Sequence, residues 1–261
     1  MTSSPAPGRP GVVPLLAIGA LTGFVSGLFG VGGGIVIVPA LVAAFHMDQR
    51  RAAATSLVAL LPISVVGTVV YALSGQVHWL AAALLAAGSV VGSPIGVRLL
   101  HRIPHRVLPW IFVGFIAVVI VTLLVSPPSR DSALAITWAS GAALVGIGLV
   151  AGILSGLVGV GGGVVAVPGL EVLVGAGDLL ARGTSLAMMI PTTVVGILTH
   201  RRHLDPDLRS GLTLGAAAVV VTPFGSWLAH LLDPRLGSIL FVAFLVAVCV
   251  VVVLRGRHPR P

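Results

Sequence analysis

Residues 23–41, GFVSGLFGVGGGIVIVPAL, recur at 152–170 as GILSGLVGVGGGVVAVPGL, with thirteen of nineteen positions identical. The offset of 129 continues without a gap: Thr55-Ser56-Leu57 falls on Thr184-Ser185-Leu186, Pro62 on Pro191, and Ser93-Pro94-Ile95-Gly96 on Thr222-Pro223-Phe224-Gly225. The chain is therefore a duplication, and whatever fold one half adopts the other must adopt too. The first apolar segment follows Arg9 in the manner of a signal peptide, but its copy stands in mid-chain, so it is expected to remain in the fold.

The duplicated unit has almost nothing to show to water. Charged residues make up 8% of the chain against about 25% in soluble domains, and the mean hydropathy is +1.13. Long apolar runs joined by short polar loops predict an all-α, polytopic helical membrane protein in the lipid bilayer. The net charge of +8 does not point to nucleic acid, because the arginines stand at loop ends between apolar runs. Cys249 is the single cysteine, which excludes a disulfide framework.

Each half carries four apolar segments, at 12–45, 52–74, 77–100 and 107–125, then 133–174, 180–199, 208–231 and 236–254. The predicted organisation is an N-terminal tail (1–11), a first repeat (12–126), a linker (127–132), a second repeat (133–254) and a basic tail (255–261). The first segment of each half is too long for one crossing. Residues 12–45 as one helix would measure about 51 Å, against a hydrocarbon core of about 30 Å. The glycine cluster within it marks either a broken helix or a hairpin. If the segment crosses once, the basic residues split 7 to 8 between the two sides. If it enters and returns, they split 12 to 3, with only Arg130, Arg182 and Arg235 on the minority side. The second division is what the positive-inside rule expects. It predicts two inverted repeats, each with a Gly-rich interrupted first helix plus three transmembrane helices, and both termini cytoplasmic. The arms look unequal: 12–29 is long enough to span, whereas 35–45 reaches about halfway.

Backbone bared in hydrocarbon is tolerated only where protein covers it or it lines a cavity. The arms that follow the glycines begin with free N–H donors at the positive end of a helix dipole, which makes an anion site. Gly32-Gly33-Gly34 and Gly161-Gly162-Gly163 are thus a pair of candidate sites for a small oxyanion. The spaced glycines Gly19, Gly23, Gly27, Gly88, Gly92, Gly148 and Gly152 are expected to let helices pack closely instead. Thr55, Ser56, Thr184 and Ser185 offer hydroxyls to the anion, or bond back to their own helices. Arg182 is the arginine placed to meet substrate, while Arg98 is expected to snorkel to the membrane edge. Glu171, an acid within an apolar arm, and His46 are candidates for proton coupling. His200 and His203, beside Arg201 and Arg202, read as a solvated basic loop with no metal-binding partners. No nucleotide, cofactor or metal motif is found, and no catalytic constellation that would make the chain an enzyme.

The two copies of G-x-x-S-G-L-x-G-V-G-G-G-x-V-x-V-P-x-L, the T-S-L stretches and the third-helix sequence GSVVGSPIGVRLLHR resemble the TauE/SafE sulfite exporter family. The resemblance covers roughly residues 12–254. It implies a carrier of the bacterial inner membrane for sulfite, sulfoacetate or related sulfur-containing anions and carboxylates. The family's glycine motifs map onto Gly30–Gly34 with Pro39 and Gly159–Gly163 with Pro168, and its T-S onto Thr55-Ser56 and Thr184-Ser185. Leu179–Gly183 departs from Arg50–Ala54, so the site is expected to be asymmetric. The combined expectation is a secondary transporter of a small anion, driven by an electrochemical gradient and most simply by protons. An anion channel, and an intramembrane enzyme or assembly factor, stand as alternatives. Oligomeric state, direction and stoichiometry are not legible.

Overall fold

A computed structural model of the chain describes residues 11–104, 107–125, 137–201 and 206–256. The predicted linker 127–132, most of both tails, and Arg9, Arg106, Arg130, Arg202, His203, Arg257 and Arg260 lie outside the described residues. Among the described residues all regular structure is helical. The helices are α1 (Val12–Phe29), α2 (Gly34–Phe45), α3 (Gln49–Leu73), α4 (Trp79–Arg102) and α5 (Leu108–Val125), then α6 (Trp138–Val158), α7 (Gly163–Leu173), α8 (Asp178–Arg201), α9 (Leu208–Leu231) and α10 (Pro234–Gly256). Six of these helices, α1, α3, α4, α6, α8 and α9, are long and apolar enough to cross a membrane. At 1.5 Å per residue, the 24 residues of α4 measure about 36 Å.

The closest helix pairs join opposite halves of the chain. A methyl group on Gly19, Gly23 or Gly27 of α1 would run into the carbonyls of Leu214, Ala218 and Thr222 of α9, respectively. The same holds for Gly88, Gly92 and Gly96 of α4 against Val145, Leu149 and Ile153 of α6. Glycine at every fourth position strips one helix face to bare backbone, and van der Waals contact replaces the hydrophobic drive that lipid does not supply. The order of contacts makes both pairs parallel.

Helices α3 and α8 form the centre, and they run antiparallel: Gly67 of α3 faces Leu186 of α8, and Gly196 of α8 faces Leu57 of α3. Helix α3 is parallel to α9, with Gly211 against Val58 and Gly215 against Pro62. Helix α8 is parallel to α4, with Thr184 next to His78 and Thr192 next to Ser89. Thus α1, α3 and α9 point one way and α6, α8 and α4 the other, each helix opposed to its sequence equivalent. Both central helices run unbroken through Pro62 and Pro191.

These directions sort the ends of the molecule. Arg50, Arg51, Arg98, Arg102, Arg201 and Arg209 all lie at one end. Exposed Trp79, Trp138 and Trp227 lie at the other, with Arg182 and Arg235. Arg98 is exposed and lines, with Ile95, Leu99 and Arg102, a surface groove of about 310 Å³.

The seams are the part of the fold least able to accept side chains. We expect Gly23→Val and Gly152→Val to prevent recovery of monodisperse protein, since each new side chain overlaps main chain in the partner helix. Gly146→Ala, where nothing lies within 4 Å, should melt at the wild-type temperature or a few degrees above it, as read by thermal unfolding in detergent.

Candidate functional site

Each glycine cluster breaks its helix in the same way. Gly30 and Gly159 take left-handed conformations (φ 68° and 77°) and end α1 and α6. Gly33 and Gly162 (φ 78° and 83°) then begin α2 and α7. Beyond the bend the chain doubles back: Gly33 returns beside Thr22, Gly162 beside Ala151, and Gly169 beside Ile147. The predicted inequality of the arms is present, at 18 residues against 12 for α1 and α2. The reason is that each long arm overshoots the middle of the bundle before turning, and each short arm starts where the two bends meet. They meet closely enough that a Cβ on Gly34 would lie 2.6 Å from Gly159 O, and one on Gly163 2.9 Å from Val31.

The carbonyls freed at the ends of α1 and α6 are answered by side chains from both repeats. The Ser185 hydroxyl lies 2.6 Å from Gly30 O, and the Ser56 hydroxyl 2.6 Å from Gly159 O. Tyr71 Oη donates to Gly27 O at 2.8 Å. At the equivalent place, 129 positions on, His200 Nε2 lies 3.2 Å from Gly156 O. Arg182 donates to Leu28 O at 2.7 Å and is paired with Asp178 at 3.3 Å. Thr55 and Thr184 face elsewhere: their oxygens accept from the N–H groups of Asp207 and His78, each at 3.0 Å, where α9 and α4 begin.

The donors at the same bends are treated differently. Val31 to Ile35 and Val160 to Val164 are buried. Among the described residues, their N–H groups have no hydrogen-bond partner, the first helical bonds starting from Val36 and Val165. Nearly all buried N–H groups in proteins are bonded, so ten together, in two symmetry-equivalent places, call for acceptors. Three hydroxyls nearby, those of Thr22, Ser26 and Ser155, are also buried without a partner. Leu60 and Met189, themselves equivalent, cover Gly32 and Gly161 and close the centre.

The structure does not gather every predicted residue here. His46 is exposed at the far end of α2, about 18 Å along the helix from the bend. Glu171 stands near the far end of α7 in the field of Arg182 and Asp178, with Oε2 buried and unbonded. His200 requires a correction. It is fully buried at the end of α8, not part of a solvated loop, because its ring reaches the carbonyl of Gly156. Sequence reasoning missed Asp178, although its i,i+4 spacing from Arg182 announces a helical ion pair. It also missed Ser26 and Ser155, the serine of the repeated G-x-x-S-G.

The family described as sulfite exporter TauE/SafE matches residues 2–123 and 144–261 of the chain. Among curated proteins, the probable membrane transporter protein YdhB of Bacillus subtilis is 26% identical over 179 residues, 67% of this chain and 73% of the relative. The probable membrane transporter protein YunE of the same organism is 35% identical over 91 residues, 35% of this chain and 33% of the relative. One from Xylella fastidiosa is 37% identical over 87 residues, 33% of each chain. The chain therefore spans about a third of the length of these last two relatives. No solved structure matches the chain significantly.

Removing either bridging hydroxyl leaves a buried carbonyl without a donor. Ser56→Ala and Ser185→Ala should each cost about 1–3 kcal/mol, visible as a lowered melting temperature in detergent. Thr213→Ala, which removes an exposed hydroxyl bonded within its own helix, should leave that temperature unchanged.

Proposed function

The chain belongs to the TauE/SafE sulfite exporter family, a family of membrane transporters and not of enzymes, and on that premise we propose that it is a secondary carrier of a small anion. Sulfite or a related organosulfur or carboxylate anion is the substrate. The observation that carries this reading is the imbalance at the bends. Their freed carbonyls are bonded by Ser56, Ser185, Tyr71, His200 and Arg182, whereas their N–H groups have no partner among the described residues. A site rich in buried donors and poor in acceptors suits an oxyanion and repels a cation. The N–H groups around Gly32, Gly33, Gly34, Gly161, Gly162 and Gly163, with the hydroxyls of Ser26 and Ser155, are the proposed contacts. Ser56 and Ser185 support the bends, Thr55 and Thr184 hold the starts of α9 and α4, and Arg182 is the charged contact.

The opposed directions of equivalent helices support two inverted repeats working by alternating access. Leu60 and Met189 closing the centre favours a carrier over an open channel. The end bearing the six arginines is the cytoplasmic one, which puts both termini inside the cell, in the inner membrane of a bacterium. Of the coupling candidates, Glu171 lies near Arg182 and His46 does not.

The test is a proteoliposome screen of sulfite, thiosulfate, sulfoacetate and simple carboxylates with an imposed pH gradient. We expect saturable uptake of at least one of these anions. Ser26→Ala and Ser155→Ala should keep the wild-type melting temperature, since neither hydroxyl bonds to protein. They should cut uptake about tenfold or more, the worth of one hydrogen bond to a charged group. Ion conductance far above carrier turnover would refute the carrier reading.

A further inference from the structure

The first bend holds something the second lacks. In the opening turns of α8, Asp178 is 1% exposed and its carboxylate lies 3.3 Å from the Arg182 guanidinium. The same guanidinium clasps Leu28 O, at the end of α1, at 2.7 Å. Ser185, one turn further along α8, donates to Gly30 O. One stretch of helix thus carries both an acid and the clasp on the broken helix. Sequence equivalents in the first repeat are Gln49 for Asp178, Ala53 for Arg182 and Val42 for Glu171, so the device exists once per chain.

The pair is buried. Helix α10 closes over the guanidinium, with Gly237 so near that a Cβ there would lie 3.1 Å from Arg182 Nη2. The other titratable groups close by are Glu171 from α7 and Tyr71 from α3, both in the field of the pair, and His230 from α9, stacked on Tyr71 with centroids 5.6 Å apart. A guanidinium stays charged under all physiological conditions, so in such a place it must keep a counter-charge. Asp178 now supplies it, and while it does, an incoming anion meets a neutral pair. A proton on the Asp178 carboxylate removes that counter-charge and leaves the guanidinium to a solute.

We propose that Asp178 and Arg182 form a proton–anion switch, in which Asp178 takes a proton as Arg182 takes the transported anion, so that the two are carried together. Counting Asp178 and Arg182 together, the pair is neutral with both absent and, for a monoanion, neutral with both bound; only the half-loaded states carry charge. This rests on the carrier reading and adds to it the coupling ion and its acceptor. Asp178 outranks Glu171 as acceptor because it is the acid ion-paired with the guanidinium.

The test is calorimetric titration of the purified full chain with thiosulfate, whose charge stays fixed over the range used, between about pH 5 and pH 8. By linkage of one proton to one anion, affinity should weaken by up to tenfold per pH unit as pH rises. In weakly buffered solution, the wild-type protein should take up about one proton per anion bound. Asp178→Asn should bind with an affinity that no longer changes with pH, and Arg182→Gln should not bind. Wild-type binding that is flat with pH, or that brings no proton uptake, overturns the switch and leaves the carrier intact. So does a slope that survives in Asp178→Asn, or one lost in Glu171→Gln and retained in Asp178→Asn. Should Asp178→Asn not fold, proton uptake by the wild type decides alone. Failure of the wild type to bind sulfite, thiosulfate, sulfoacetate or simple carboxylates at any pH overturns the carrier reading and the switch with it.

Discussion

Breaking a helix inside a bilayer frees two kinds of backbone group, and the rest of this molecule is arranged around answering one kind and not the other. The carbonyl ends of α1 and α6 are met by hydroxyls, a phenol, an imidazole and a guanidinium, all delivered from neighbouring helices. Those contacts are mostly crossed between the repeats. Ser56 of the first repeat holds the bend of the second, and Ser185 of the second holds the bend of the first. The glycine seams serve the same end, because only bare helix faces let α1 and α9, or α4 and α6, come near enough for short side chains to reach across. Among the described residues, the N–H ends of α2 and α7 receive no such attention.

Symmetry is kept where it is mechanical and broken where it is electrical. Tyr71 and His200 are different residues at equivalent positions, yet each bonds the equivalent carbonyl, Gly27 O and Gly156 O. Leu60 and Met189 lie together over both bends. The ionisable trio Glu171, Asp178 and Arg182 has only Val42, Gln49 and Ala53 opposite it. The bends and their supports are thus duplicated, whereas the ionisable groups beside them are not.

The helices, the break points and the offset of 129 were readable in the sequence because length and hydropathy alone set them in a bilayer. The doubling back at each bend was readable less directly, through where the arginines fall. What stayed hidden depended on contacts between residues far apart in the chain. Ser56 and Ser185 offer the same hydroxyl whether it bonds its own helix, a solute or a carbonyl 103 or 155 positions away. His200 was obscured by its neighbours: adjoining arginines make a polar stretch, and nothing local says that the ring turns inward toward Gly156 while Arg201 stays exposed.

The crossed pairing of helices also bears on how the protein is made. Gly27 of α1 meets its contact on α9, Ser226, 199 positions later. At about 5–20 residues per second of synthesis, α1 waits roughly 10–40 s beside lipid before the helix that fills its glycine face leaves the ribosome. Neither repeat can close its own seam. The nascent first half is therefore an incomplete object with bare backbone turned toward the bilayer, and its survival depends on whatever shelters it until translation ends.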